Sequence, residues 1–188
     1  MIVATRFAGR YAASCLQLAQ FDPELPSFAR GAYVLADSPT GAVDVILIGT
    51  GSEVQLAVAA REQLAEQGIG ARVVSAPSLE WFAEQDDAYR ESVLPASVKA
   101  RVSVEAGLAM PWRGIVGDAG RSVSIEHFGA SADYKTLFQK FGITTEAVVT
   151  AAHETIAAIG SSRGIASPPP PLPPPLPPAT QTVAGTAA

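Results

Sequence analysis

The sequence predicts an α/β fold, a three-layer α/β/α sandwich around a mostly parallel sheet of about five strands. Between residues 31 and 160, short β-branched runs alternate with longer amphipathic stretches, the pattern of successive β-α units with right-handed crossovers. The runs VILI and RVVS are apolar almost without interruption, as expected for strands that a parallel sheet buries on both faces. Hydrophobic residues make up 48% of the chain, so a core of ordinary size can be buried.

Five runs are predicted strands. The second and third contain VILI and RVVS, whose branched side chains suit the pleated, packed surface of a central strand. The fourth ends at Glu105, a carboxylate placed where a strand gives way to a loop. The predicted strands are Ala32–Ala36, Val43–Ile48, Ala71–Ser75, Ala100–Glu105 and Ser122–Glu126.

Five further stretches are predicted helices. The first has apolar residues at three- and four-residue steps from Val54 to Leu64, so that one face can pack on the sheet. Ser52 is predicted to cap its N-terminus, with Gln55 completing a capping box, and Gly68 is predicted to end it in a left-handed conformation. The predicted helices are Ser52–Gln67, Trp81–Gln85, Ala88–Val93, Tyr134–Phe141 and Thr145–Ala158.

Polar residues mark the starts of the last two helices. Ser131 and Asp133 are predicted caps for the helix that carries Phe138, because short oxygen-bearing side chains accept bonds from the free amides of a first turn. The final helix is predicted to begin at Thr144 or Thr145 for the same reason.

The two ends of the chain differ in composition from the middle. Residues 1–30 predict an irregular N-terminal segment, in which Pro23 and Pro26 interrupt any helix. Residues 161–188 predict a disordered, proline-rich tail, because prolines from Pro168 to Pro178 restrict the backbone to extended polyproline II. Such runs can also bind SH3 or WW domains, which is the alternative function for this segment.

Charge, cysteine content and hydropathy exclude several classes of protein. A net charge of −5 and a pI near 5.0 argue against a nucleic-acid-binding protein, which would present a basic face. The single cysteine, Cys15, cannot form an internal disulfide, so nothing indicates an oxidising compartment. Apolar runs fall short of the roughly 20 residues that span a bilayer, so no membrane association is predicted and a cytoplasmic location is the default.

The turn between the second strand and the first helix is the first candidate site. It contains Gly49, Thr50, Gly51 and Ser52, and a glycine turn opening a helix can present free backbone amides to an anion. The dinucleotide fingerprint needs a third glycine, however, where this chain has Val54.

A phosphate loop is also poorly matched by this turn. No lysine follows the glycines, and Glu53 places a carboxylate in the first helical turn, where it would repel a phosphate. A structural corner is therefore the favoured interpretation, with an anion site or a contact with another domain as the alternatives.

Two further residues lie where α/β sheets place functional groups, beyond the carboxyl ends of strands. Glu105 could act as a general base, although a capping or inter-subunit role suits a carboxylate with no visible partner. His127 could be an acid–base group or a functional contact, but no serine or aspartate stands at a recognisable spacing from it. With only one other histidine, His153, no metal cluster is predicted. Trp112 and Arg113 are candidate interface anchors.

Several strings in the middle of the chain carry a family resemblance. The most specific are GTGSEV, AYRESVLP and VEAG, and they lie in order within longer matching stretches. Over about residues 30–158 the chain resembles the C-terminal domain of transketolase. The matching stretches are residues 31–37, 45–78, 82–95, 100–107 and 125–144.

The resemblance implies a fold and a pathway but no catalytic residue. Transketolases move a two-carbon ketol unit between sugar phosphates in the pentose phosphate pathway, using thiamine diphosphate and magnesium. In this family, two preceding domains hold the cofactor, while the third contributes mainly to packing and dimer formation. No catalytic, cofactor-binding or metal-binding residue of the family maps onto residues 31–158, so this chain alone is not expected to bind the cofactor or to be active.

Three functional hypotheses follow. The first is a non-catalytic domain, either a fragment or a docking subunit, whose partner is the thiamine-binding part of a transketolase or a second copy of itself. The second is a stand-alone domain that binds a nucleotide or other small anion at the 49–53 turn. The third is a scaffold that uses its proline-rich tail. An isolated domain of this family is also expected to expose an apolar patch, because surfaces that meet other domains would be uncovered.

Overall fold

A computed structural model describes residues 28–162 of the chain. The predictions for residues 1–27, for Cys15 and for the proline-rich tail beyond residue 162 lie outside these described residues. Residues 28–30 form one 3₁₀ turn that leads into the first strand.

The five strands form a single mixed sheet. In sheet order they run β1-β3-β2-β4-β5, with β1 antiparallel to β3 and every other neighbouring pair parallel. The prediction of a mostly parallel five-stranded sheet is therefore confirmed. The strands are β1 (Tyr33–Ala36), β2 (Val45–Gly49), β3 (Ala71–Ser75), β4 (Arg101–Val104) and β5 (Arg121–Val123).

Six α-helices in the described residues accompany this sheet, and five of them correspond to predicted helices. They are α1 (Val54–Glu66), α2 (Leu79–Ala83), α3 (Asp87–Val93), α4 (Arg113–Val116), α5 (Tyr134–Phe141) and α6 (Thr145–Ser162). The additional helix, α4, has four residues and includes Gly114, so it is too short to give a helical period in the sequence. A 3₁₀ turn, Met110–Trp112, leads directly into it.

The sheet is covered on both faces, which confirms the three-layer sandwich. On one face, Leu47 and Val73 pack in a core with residues of α1 and α6, such as Leu64 and Val148. On the other face, Ile46 and its neighbours pack with residues of α2, α3 and α4. All five residues of β2 are buried, as its uninterrupted apolar run predicts.

The helix ends explain where each helix stops and starts. Gly68, after α1, has φ +78°, and Gly142, after α5, has φ +71°, so both supply the left-handed conformation that ends a helix. Asp133 caps α5 by accepting hydrogen bonds from the amides of Lys135 and Thr136, whereas Ser131 makes no such bond. The Thr144 hydroxyl accepts from Ala147 N at 3.2 Å at the start of α6.

The sheet has two edges that matter for function. The amino edge is where the parallel strands begin, and it comprises the segments 37–44, 67–70, 94–100 and 117–120. The carboxyl edge is where they end, and it comprises the segments 49–53, 76–83, 105–112 and 124–134. No helix among the described residues is long and apolar enough to cross a membrane.

Candidate functional site

The carboxyl edge brings together the residues that the sequence singles out. The 49–53 turn follows β2, and Glu105 follows β4, which lies beside β2 with Gly49 paired to Val104. His127 lies in the segment after β5, the next strand along the sheet. Loops at the carboxyl ends of neighbouring parallel strands converge, so the candidate residues share one edge.

The glycine turn is a tight corner. A Cβ on Gly49 would lie 3.1 Å from Val54 Cα, so the start of α1 packs closely against the end of β2. Gly51 has φ +54° and opens a 3₁₀ turn, Gly51–Glu53, before α1 begins. The glycines therefore serve the strand-to-helix connection, as the structural interpretation holds.

The predicted capping box at this turn is wrong. The 3₁₀ turn places Thr50 and Glu53 at the capping positions, and neither side chain accepts a capping hydrogen bond. Ser52 is exposed, and the Gln55 side-chain amide donates to the Ser52 carbonyl at 2.8 Å instead. The extra turn moved the start of the α-helix by two residues, which a sequence pattern of caps does not resolve.

Glu53 is the unusual group of the turn. The residue is only 8% exposed, and its carboxylate accepts no hydrogen bond from any residue among 28–162. It folds back toward Gly51, where Oε2 would lie 3.8 Å from an added Cβ. A carboxylate beside the turn opposes a bound phosphate, because the two negative charges repel in a partly desolvated setting.

Glu105 is held by an internal hydrogen bond. The Trp112 indole Nε1–H donates to Glu105 Oε2 at 2.5 Å, and Trp112 is only 2% exposed. The prediction that Trp112 anchors an interface is therefore wrong, because its ring belongs to the core beneath α4. The bond fixes the segment 105–112 against the end of β4 and gives Glu105 a structural role.

His127 packs on an aromatic ring rather than beside a catalytic partner. Its ring meets Phe141 edge-on with centroids 4.8 Å apart, and Nδ1 lies 2.8 Å from the carbonyl oxygen of Phe128. No described serine or carboxylate bonds to this imidazole. The predicted functional contact of His127 stays a prediction.

Two loops of the carboxyl edge are tied together by a residue that the sequence did not single out. Glu126 accepts hydrogen bonds from Ala109 N and from the Ser124 hydroxyl, both at 2.8 Å. The bond from the Ala109 amide, and then the bond from Ser124, lower the pKa of Glu126. Ile125 N also donates to Gly107 O at 2.8 Å, so the segments 105–112 and 124–128 form one supported unit.

Exposed apolar side chains cluster on the same edge, as the sequence predicts for an isolated domain. Phe128 is 99% exposed at the tip of the supported loop, and Met110 is 68% exposed on the neighbouring one. The sequence indicates this exposure only weakly, because the stretch HFGASAD has no periodicity and the exposed surface depends on one aromatic residue, Phe128.

The edge does not fit a metal or a diphosphate. Within the part of the chain that the structure describes, no three His, Cys, Asp or Glu side chains are grouped so that they could hold a metal ion. The turn offers a buried carboxylate where a diphosphate would need a cation. No catalytic step is therefore assigned to these residues.

Comparison with known proteins defines the class of this sandwich. Residues 31–144, more than half of the chain, match the family described as the transketolase-like TK C-terminal domain. The chain belongs to this family.

The relatives that the chain matches are named transketolases and are much longer than this chain. The chain is 59% identical over 131 residues to the transketolase of Mycobacterium leprae, a match that covers 68% of this chain and 19% of the relative. Among solved structures, the transketolase from Leishmania mexicana aligns with a TM-score of 0.64 and 40% identity, over 70% of this chain and 18% of that one. The chain thus spans about a fifth of the length of the relatives it matches.

One similar structure is a shorter protein. A chain described as a split gene transketolase, an inactive β4 tetramer, aligns with a TM-score of 0.52 and 22% identity, over 68% of this chain and 42% of that one. At this identity the likeness concerns the fold alone.

Proposed function

We propose that this chain supplies the C-terminal domain of a transketolase and acts by docking on the thiamine-binding part of the enzyme, not by catalysis of its own. The single observation that carries the proposal is the state of the carboxyl edge. Glu105 is bonded to Trp112 and His127 meets Phe141 edge-on, so within residues 28–162 neither is paired with a second catalytic group. The family match agrees, because it covers only a C-terminal domain.

The proposal assigns the chemistry to the partner. The thiamine diphosphate and magnesium that the resemblance implies would be held there, and the ketol transfer between sugar phosphates would take place there. This chain would contribute packing that holds the partner in its active form. We place the assembly in the cytoplasm, which fractionation of the source cells would test.

A complementation assay tests this function. The full chain is assayed for ketol transfer with thiamine diphosphate and magnesium, first alone and then co-expressed with the M. leprae transketolase shortened by its C-terminal domain. We expect no turnover by the chain alone and turnover by the pair. Binding of thiamine diphosphate by the shortened partner is the control for its folding. Turnover by the chain alone at the level of the intact relative would overturn the proposal, as would a folded partner that the chain neither binds nor activates.

The alternative, a stand-alone anion-binding domain, receives less support from the residues. Its site would be the turn of Gly49, Thr50, Gly51 and Ser52, and the Glu53 carboxylate lies against that turn. Calorimetric titration of the full chain with a nucleotide or a sugar phosphate is expected to give no heat of binding. Saturable heat that a Glu53→Gln substitution strengthens would favour the anion-binding function instead.

A further inference from the structure

Every large hydrophobic side chain that is strongly exposed in residues 28–162 lies on one edge of the sheet. Each belongs to a segment that follows the carboxyl end of a strand, after β3, β4 or β5. A soluble domain scatters such residues when they serve nothing, so their concentration on one edge marks a contact surface. They are Trp81, Leu108, Met110, Phe128 and Tyr134.

Phe128 has the geometry of an anchor. It is 99% exposed, yet the loop that carries it is held at its base by Glu126 on Ala109 N and by Ile125 N on Gly107 O. His127 fixes the position next to it through its contact with Phe141. The supported loop holds the backbone from which the ring projects, and an aromatic side chain has only two χ angles to fix on binding, so its entropy cost is low for the area that it buries.

The edge also presents one carboxylate that has no donor within residues 28–162. The Glu53 carboxylate is nearly buried and accepts no hydrogen bond within the described chain, although its oxygens reach the surface. A desolvated carboxylate of this kind is stabilised when an approaching surface brings an amide or a cationic side chain. The partner surface should therefore combine an apolar pocket with a donor or a basic group.

The position of the first matched residue identifies the occupant. The family match begins at Gly31 and is a C-terminal domain, so in the relatives the other four fifths of the chain come before this point. Gly31 lies at the carboxyl edge, because its carbonyl accepts from Ser78 N at 2.9 Å and an added Cβ would be 2.8 Å from Trp81 Cβ. In the relatives, the polypeptide of the preceding domains therefore reaches this domain at the edge that carries the exposed apolar residues, which makes those domains the nearest candidates to cover it.

We propose that the carboxyl edge, from Trp81 to Phe128, is the surface that docks on the thiamine-binding part of a transketolase, with Phe128 as its anchor. This inference rests on the proposed function and adds the surface and the chemistry of the contact. β1 and β5 are four strand spacings apart, roughly 19 Å, which is within the width of a standard interface of about 800 Å² per partner.

The test compares one charge placed on each edge of the sheet. Phe128→Glu changes a side chain with no internal contact to lose, and Ser97→Glu adds the same charge at an exposed position of the amino edge. Both full-length variants should keep the wild-type melting temperature. Affinity for the shortened M. leprae transketolase, measured by calorimetry, should fall about tenfold or more for Phe128→Glu and stay within about twofold for Ser97→Glu.

A second measurement locates the contact directly. Hydrogen exchange of the wild-type chain in the complex should slow in segments 76–83, 105–112 and 124–134 and not in 94–100. If Phe128→Glu binds like the wild type, or if protection falls on the amino edge, the proposed surface is wrong even though docking is right. If the wild type does not bind a partner that holds thiamine diphosphate, the proposed function fails first. If Phe128→Glu abolishes self-association and leaves partner binding intact, the edge is an interface between copies of this chain instead.

Discussion

The two edges of the same sheet differ in how far their side chains are bonded within the domain. At the amino edge, polar side chains are hydrogen-bonded to backbone groups. The Arg101 guanidinium donates to four carbonyl oxygens at 2.8–3.1 Å, those of Leu94, Pro95, Val98 and Ile115. At the carboxyl edge, Phe128 stands in solvent and the Glu53 carboxylate has no donor among the described residues. The carboxyl edge is hydrogen-bonded at its base but leaves these two side chains without an internal partner in the described residues.

The amino edge contains two further hydrogen bonds of the same kind. Asp44 accepts from Gly70 N at 2.7 Å, and the Thr155 hydroxyl, which is fully buried, donates to Ala119 O at 2.6 Å. Each bond joins segments that are far apart in sequence. The difference teaches that the amino edge contributes mainly internal bonds, whereas the carboxyl edge is bonded at its base and exposes the side chains for which we propose a role in association. Substitutions on the two edges should therefore change different measured quantities.

The largest loss of stability is expected from Arg101→Met. Methionine keeps much of the apolar stem but removes a donor from four carbonyl oxygens in part-buried bonds, of which that of Pro95 keeps the Val98 amide at 3.0 Å. The free energy of unfolding should fall by about 3 kcal/mol in urea titrations followed by circular dichroism.

A matched substitution at Arg113, the first residue of α4 directly after the carboxyl-edge segment 105–112, is the control for Arg101. Arg113→Met removes the same group from an exposed position where its side chain makes no hydrogen bond in the described chain, so the expected change is within about 0.5 kcal/mol. Equal losses of unfolding free energy in Arg101→Met and Arg113→Met would contradict the proposed difference between the two edges.

The next largest effect is expected from Trp112→Phe, inside the base of the carboxyl edge. The substitution leaves Glu105 without its donor and reduces the volume of a buried ring, so about 2 kcal/mol of stability should be lost. Glu105→Gln keeps an acceptor oxygen for the indole and should cost less than half as much. A neutral Trp112→Phe would show that the hydrogen bond does not hold the segment 105–112.

Most of the fold could be predicted because the strands are buried on both faces. β2 and β3 carry β-branched runs whose burial in the middle of a sheet requires that pattern, and α1 has a period that matches its packed face. The helix boundaries could be predicted less well. The start of α1 depends on a 3₁₀ turn at Gly51, and local hydrogen bonds rather than the hydrophobic pattern decide whether such a turn forms. The same limit explains the incorrect cap at Ser52.

The sequence predicted where the candidate residues lie but not which residues they contact. Strand ends placed Gly49, Glu105 and His127 on one edge, which is correct for parallel strands. The sequence could not show that Trp112 folds inward onto Glu105, because that contact depends on how α4 packs on the sheet. Nor could it show that Phe128 faces outward, since one aromatic residue in a loop has no period from which to read its direction.

A smaller effect, dependent on pH, is expected from Asp37→Asn at the amino edge. Asp37 pairs with Arg72 through two bonds of 3.0 Å, and these bonds are the main reason that the pKa of Asp37 is lowered. The Asp37 side chain is largely exposed, so the loss of stability at pH 7 should be at most about 1 kcal/mol.

The sign of this pH dependence follows from the lowered pKa. A carboxyl whose pKa is lower in the folded state stabilises the fold above its unfolded pKa of about 3.9, and this contribution is lost as the pH falls through the folded pKa. The wild type and Asp37→Asn should therefore differ at pH 7 and converge in strong acid. Asp118→Asn, at an exposed aspartate of the same edge with no hydrogen bond in the described chain, is the matched control for the loss of stability at pH 7.

The smallest effect on stability is expected from Phe128→Ser, and that small value is the informative result. A side chain that is 99% exposed gains nothing from folding, so the free energy of unfolding should change by less than about 0.5 kcal/mol. Self-association at high concentration and binding of a hydrophobic dye should nevertheless decrease, because the exposed apolar area of the carboxyl edge is reduced. Sedimentation and dye fluorescence measure these two quantities beside the urea titration. A clear loss of stability would mean that Phe128 is covered by the chain itself, and the carboxyl edge would then be closed in the same way as the amino edge.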